Sequence, residues 1–101
     1  MDYKVIWMDE AIADLKSIVL RLAQDNPDAA VRWGEKIQQK PLALPKHPRL
    51  GRRFEKLGRE DVRELGVPPY RIIYHVQDAT RMVWILTVWH GARQEPDLQV
   101  P

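Results

Sequence analysis

VRELGVPPYRIIYHVQDATRMVWILTVWHGAR, residues 62–93, decides the fold. It divides into three successive runs of strand character. Val62–Val67 alternates apolar and polar side chains and stops at Pro68-Pro69, which cannot donate to a ladder. Tyr70–Val76 is rich in aromatic and β-branched residues, which suit a pleated surface. Gln77–Arg81 supplies a polar connection of hairpin length. Met82–Trp89 is apolar at nearly every position, the pattern of a strand covered on both faces, and so predicts the centre of the sheet. Gly91 releases the chain into a polar segment.

Working outward, Tyr3–Trp7 is a short β-rich run. Asp9 is placed to cap a helix over about Glu10–Ala23, whose apolar stripe runs Ile12, Leu15, Val19 and Leu22, widened by Ile18. Asn26-Pro27 starts a second helix: a capping side chain, then proline where its missing donor does no harm. Ala30, Trp33 and Ile37 trace its buried stripe, and Pro41 ends it near Lys40. Residues 41–61, PLALPKHPRLGRRFEKLGRED, hold too many prolines and glycines for regular structure beyond one helical turn. This reads as a basic loop anchored by Leu42, Leu44, Leu50, Phe54 and Leu57. The sum is a single α+β domain over residues 1–101: an N-terminal strand, a two-helix hairpin, then a three-strand antiparallel meander. Segregated helices and strands predict two layers, the hairpin on one sheet face. Residues 94–101 are expected to be a flexible tail.

At 101 residues, 45% hydrophobic and 30% charged, the composition is that of an ordinary globular domain. No apolar run is long enough to span a bilayer, and MDYKVIW lacks the layout of a signal peptide, so no membrane partner is expected. Without cysteine, neither disulfides nor thiolate metal sites are available, which fits a reducing cytoplasm. Net charge is only +2, but Lys46, Arg49, Arg52, Arg53, Lys56 and Arg59 crowd one stretch, opposed by Glu55 alone until Glu60-Asp61. Such a cluster suits an acidic partner; a solvated loop is the plainer explanation.

Conventional chemistry is missing. There is no Gly-rich phosphate loop. His47, His75 and His90 are isolated, with no ligand spacing, so neither a metal nor another cofactor is expected. Ser17, inside a helix, has no nucleophile-elbow context. Nothing singles out a carboxylate pair. The remaining capability is a cationic surface on a sheet, fit for binding or for phosphodiester chemistry by charged groups.

Several of these stretches together resemble toxins of the RelE/ParE superfamily. Arg63 lies on a strand leading through a turn into Tyr70-Arg71-Ile72-Ile73-Tyr74, and the last apolar strand closes on His90-Gly91-Ala92-Arg93. The segment MDEAIADLKSI, residues 8–18, is similar to the superfamily's first helix. The resemblance covers nearly the whole chain. It implies the toxin of a bacterial type II toxin–antitoxin pair, forming a hetero-oligomer with a cognate antitoxin. RelE-like members cleave mRNA on the ribosome with arginine, lysine, tyrosine or histidine side chains; ParE-like members inhibit DNA gyrase and have no known hydrolytic chemistry.

Cleavage through a ribose 2′-OH needs a base, a cation for the phosphorane and an acid for the leaving oxygen. Arg71 or Arg93 is the candidate cation and His90 the candidate proton-transfer group, the outline of a metal-independent endoribonuclease. No tyrosine follows Arg93, where RelE-like nucleases commonly carry one. Together with the wording of residues 62–76 and the HGAR ending, this leans toward a gyrase inhibitor that is not an enzyme. A non-toxic binding module is the further alternative. Contacts with target or antitoxin are expected at Arg63, Arg71, His90 and Arg93. Each has a plainer reading: Arg71 paired with Glu64 across a ladder, Arg63 as an ion-pair partner, and His90 bonded to backbone. Trp84 and Trp89 differ in strand parity, which would put one of them on the uncovered face, where an antitoxin would shield it.

Overall fold

A single sheet has the strand order β1-β5-β4-β3-β2, in a computed structural model that describes residues 2–100. The elements are β1 (Lys4–Trp7), α1 (Asp9–Asp25), α2 (Pro27–Gln39), β2 (Arg52–Arg53), β3 (Val62–Val67), β4 (Tyr70–Gln77) and β5 (Met82–His90). β3, β4 and β5 form the expected antiparallel meander, and β1 returns parallel to β5 through the helical hairpin. The α+β two-layer arrangement therefore holds. Residues 41–61 are more ordered than expected. Lys40–Ala43 continues α2 as a 3-10 turn, and Arg52–Arg53 forms β2 against Glu64 and Arg63. Of the expected anchors Leu44 and Phe54 are buried, whereas Leu42 and Leu50 are exposed. The reason is the loop's path: it crosses the sheet edge at β2 and carries Phe54 to the opposite face, with the Phe54 amide donating to Val62 O at 2.9 Å.

α1 begins at Asp9 itself. Met8 is the residue before the first turn and no side chain caps it, so the expected Asp9 cap is absent. Asp9 and Glu10 instead place their carboxylates in the first turn, where the helix dipole favours negative charge. The buried seam runs Ala11, Leu15, Ile18 and Leu22, rotated by a residue from the predicted stripe; Ile12 is left exposed. Ala11 is fully buried in the core. α2 starts as predicted, the Asn26 side chain accepting from the Ala29 amide at 3.1 Å with Pro27 first in the helix. Gly34 faces Val19 so tightly that an added Cβ would lie 3.3 Å from its Cγ2, which fixes the hairpin's spacing.

The main core lies between the hairpin and the sheet face carrying Leu65, Val67, Tyr70, Ile72, Tyr74, Val76, Val83, Ile85 and Val88. A smaller cluster on the other face gathers Phe54, Val62 and Ile73, with Leu57, Leu86, Trp89, Leu98 and Val100 against it. Residues 94–100 carry no regular structure and run along this face. The central, doubly covered strand is β4, not β5 as predicted. β5 alternates instead: Val83 and Ile85 point to the helices, Trp84 and Leu86 away from them. Its continuous hydrophobicity reflects two apolar faces of unequal burial. A register shift opposite Ile73/Tyr74 leaves Leu86 unmatched, since Tyr74 pairs with Ile85 and Ile73 with Thr87. This bulge resets the parity, so that Val88 returns to the helix side and Trp89 joins Trp84 on the helix-free face. The expected split of the two tryptophans is therefore not found.

Candidate functional site

The register pairs Tyr70 with His90 and Arg71 with Trp89, which brings the start of β4 and the end of β5 to one rim. The following turn is pinned from several sides. Gly91 N donates to Pro69 O at 2.7 Å, Ala92 N to His90 Nδ1 at 3.1 Å and Arg93 N to His90 O at 3.0 Å. Trp89 Nε1 donates to Arg93 O at 3.4 Å. A Cβ on Gly91 would lie 3.1 Å from Pro69 O, so glycine suits this crossing. Arg71, His90 and Arg93 thus reach the same end of the sheet, as expected, but not the same face. Arg71 shares the helix-free face with Ile73. His90 packs edge-on to Tyr70 at 5.4 Å on the helix side, and Arg93 lines a cleft with α1 there.

Arg71 is tied down. Its Nε and Nη2 donate to the two oxygens of Glu64 at 2.7 Å each, and Nη2 also meets Glu95 Oε2 at 2.7 Å. The guanidinium lies over the Phe54 ring, 5.6 Å from its centroid. The Glu64 side chain is 4% exposed and takes a further bond from Arg52 at 3.2 Å. Burial pushes the Glu64 carboxyl up, but the hydrogen bonds from Arg71 and Arg52 together outweigh it and hold it below the usual carboxylate range. Arg63 is engaged as well. It bonds the carbonyls of Glu60 and Gly51 at 3.0 and 2.8 Å and the Glu60 carboxylate at 3.1 Å, closing the loop onto β3. His90 is a histidine bonded to backbone through Nδ1. Of the rim residues named from the sequence, only Arg93 has a guanidinium with no hydrogen bond or ion pair among the described residues.

The basic stretch is largely compensated from within. Arg49 binds Glu60 and Asp78, Arg53 approaches Glu55 at 3.9 Å, and Lys56 pairs with Asp97 at 3.0 Å. Arg59 pairs with Asp61 at 2.7 Å, and Asp61 also meets His75 Nε2 at 2.9 Å. Hydrogen bonds from Arg59, then His75, hold the Asp61 carboxyl at about 2. Lys46 remains solvated. Glu55, Glu60 and Asp61 are local to the stretch, but Asp78 and Asp97 come from distant parts of the chain, where sequence proximity did not reveal them. Asp14 was missed for the same reason. From α1 it accepts from Thr87 Oγ1 at 2.5 Å and Val88 N at 3.1 Å, fastening the helix to the bulged strand. Among the described residues no group of histidine and carboxylate side chains is arranged to hold a metal, and no helix is long and apolar enough to cross a membrane.

The fold of a helical hairpin on one sheet is shared with solved toxin structures. The chromosomal ParDE system of P. aeruginosa superposes with a TM-score of 0.72 at 20% identity, covering 87% of this chain and 95% of that one. The isolated E. coli RelE toxin gives 0.65 at 18%, covering 92% and 88%. The M. tuberculosis RelBE2 toxin–antitoxin complex gives 0.56 at 25%, covering 89% and 99%. A comparison with curated protein sequences returned no match. Residues 5–95 match the model of the ParE toxin of the type II toxin–antitoxin system parDE. The chain belongs to that family.

Proposed function

We propose that this toxin acts by binding DNA gyrase in the cytoplasm, that a cognate antitoxin neutralises it in a hetero-oligomer, and that it does not itself cut RNA. One observation supports the last point: Arg71, one of the two candidate cations, is neutralised by Glu64 and Glu95. A guanidinium already shared between two carboxylates has little charge left to offer a phosphorane. The Nδ1 of His90 is likewise engaged by the Ala92 amide. The exposed turn at Gly91–Arg93 is then a contact surface for target or antitoxin, with Arg93 its principal cation. The match to the parDE toxin model supports the same branch.

Induction of the chain in bacteria without an antitoxin tests this. The expected result is growth arrest with gyrase trapped on DNA and intact mRNA. Cut mRNA on ribosomes with untouched gyrase would replace the reading with a nuclease, and vigorous growth with folded protein would reduce the chain to a binding module. Arg93→Ala should weaken arrest by more than it lowers the melting temperature.

A further inference from the structure

On the helix side of the rim lies a cleft of about 380 Å³, lined among others by Asp14, Ser17 and Arg21 of α1 and by Val88, His90 and Arg93. Asp14, Ser17 and Arg21 are spaced three and four apart, so they share the helix face turned to the end of β5. Arg93 comes from the opposite wall, its backbone fixed by the turn described above. Both arginines are exposed, and neither guanidinium has an ion pair among the described residues. This sets them apart from Arg49, Arg52, Arg63 and Arg71, each of which has a carboxylate. The one carboxylate in the cleft, Asp14, already accepts from Thr87 and Val88. Two cations thus converge on a concave, polar space whose acidic group is turned to other work. Such a space concentrates anions.

We propose that this cleft binds a phosphate group, with Arg21 and Arg93 each engaging its oxygens and the Ser17 hydroxyl donating a further bond. A single guanidinium fork satisfies both oxygens of a carboxylate; two forks from opposite walls and a hydroxyl match an anion with three or more oxygens. The group belongs either to a nucleic-acid backbone or to a free phosphate. The site shares Arg93 with the contact surface proposed above, but its test needs no target protein, so the phosphate site can fail while the gyrase reading stands.

The test is an NMR titration of the isotopically labelled full chain at low salt, following the amides of Ser17, Arg21, Val88 and Arg93. Inorganic phosphate at millimolar concentration is expected to shift these amides together. The Arg21→Gln/Arg93→Gln double variant alters exposed side chains only, so its melting temperature should stay unchanged while phosphate affinity falls at least about tenfold. Lys46→Gln should keep that affinity. A short oligonucleotide that shifts the same amides and competes with phosphate identifies a backbone phosphodiester as the source; competition failing while phosphate still binds identifies a free anion. Absence of shifts with either probe, or shifts that persist undiminished in the double variant, would overturn the site.

Discussion

Replacing Arg71 by methionine and Glu64 by leucine, singly and together, separates a scaffolding cation from a working one. Glu64 is 4% exposed and Arg71 17%, and both of their Arg71–Glu64 contacts are 2.7 Å. Arg71→Met would leave the buried carboxylate facing Arg52 alone, at 3.2 Å and with a side chain 77% exposed. Removing one partner of a buried pair costs about 3–5 kcal/mol, and so weak a substitute puts this variant within that range. Glu64→Leu leaves Arg71 with Glu95 and some access to water, so its cost should fall at or below about 3 kcal/mol. The double variant removes both charges and sets two apolar chains of similar volume beside Phe54 and Ile73. Its stability should return to within about 1 kcal/mol of the parent, because the pair's attraction and its desolvation nearly cancel. Urea unfolding of the four proteins measures the coupling, and growth arrest on induction measures function. A scaffolding Arg71 predicts that the double variant arrests growth like the parent. A double variant as stable as the parent but without toxicity would refute the assignment and return Arg71 to the target surface. Single variants that each cost less than about 1 kcal/mol would refute the energetic argument itself.

Three further outcomes follow from the same contacts. Gly51→Ala should destabilise by about 1–3 kcal/mol, since an added Cβ would lie 2.4 Å from the backbone oxygen of Glu64; an unchanged urea midpoint would contradict this. Asp14→Ala strands the buried Thr87 hydroxyl and the Val88 amide and should cost about 1–3 kcal/mol; a loss below about 0.5 kcal/mol would mean that α1 is not fastened there. Stability should fall on acidification. Asp61 and Asp78 titrate at about 2 in the folded chain against 3.8 ordinarily, and Glu60 and Glu64 lie below 4.5. A depressed folded pKa means that the unfolded chain takes up protons first. The contribution is therefore complete above about pH 4.5 and is lost as the pH drops toward about 2. Urea midpoints that stay flat across that window would show that these ion pairs contribute nothing.

The element order was legible in the sequence because periodicity and turn chemistry are local signals. The meander, the Asn26-Pro27 start and the chain's two layers all follow from residues within a few positions of one another. The failures lie where a signal depends on something distant. Counting parity along β5 assumes an unbroken ladder, and the Leu86 bulge, which fixes the face of Trp89, is set by pairing with β4 and not by any residue of β5 that marks it. The apolar look of β5 suggests full burial, but burial depends on what covers the second face, here Phe54, Leu57 and residues of the 94–100 segment.

The charges make the same distinction more sharply. Every cation of the 46–59 stretch and of the rim is visible in the sequence, whereas its availability is not. Arg71 is neutralised by carboxylates seven and twenty-four positions away, Lys56 by one still further along, and Arg49 by Asp78. A pairing partner beyond the local window leaves no trace in spacing, so a conspicuous basic cluster need not be a free one. Arg21 shows the converse. Outside the apolar stripe of α1 it carries no motif, yet with Arg93 it lines one cleft, and neither has a counter-ion among the described residues. Free charge is thus a tertiary property, and a binding surface on this chain is better sought where cations lack carboxylates than where cations are dense.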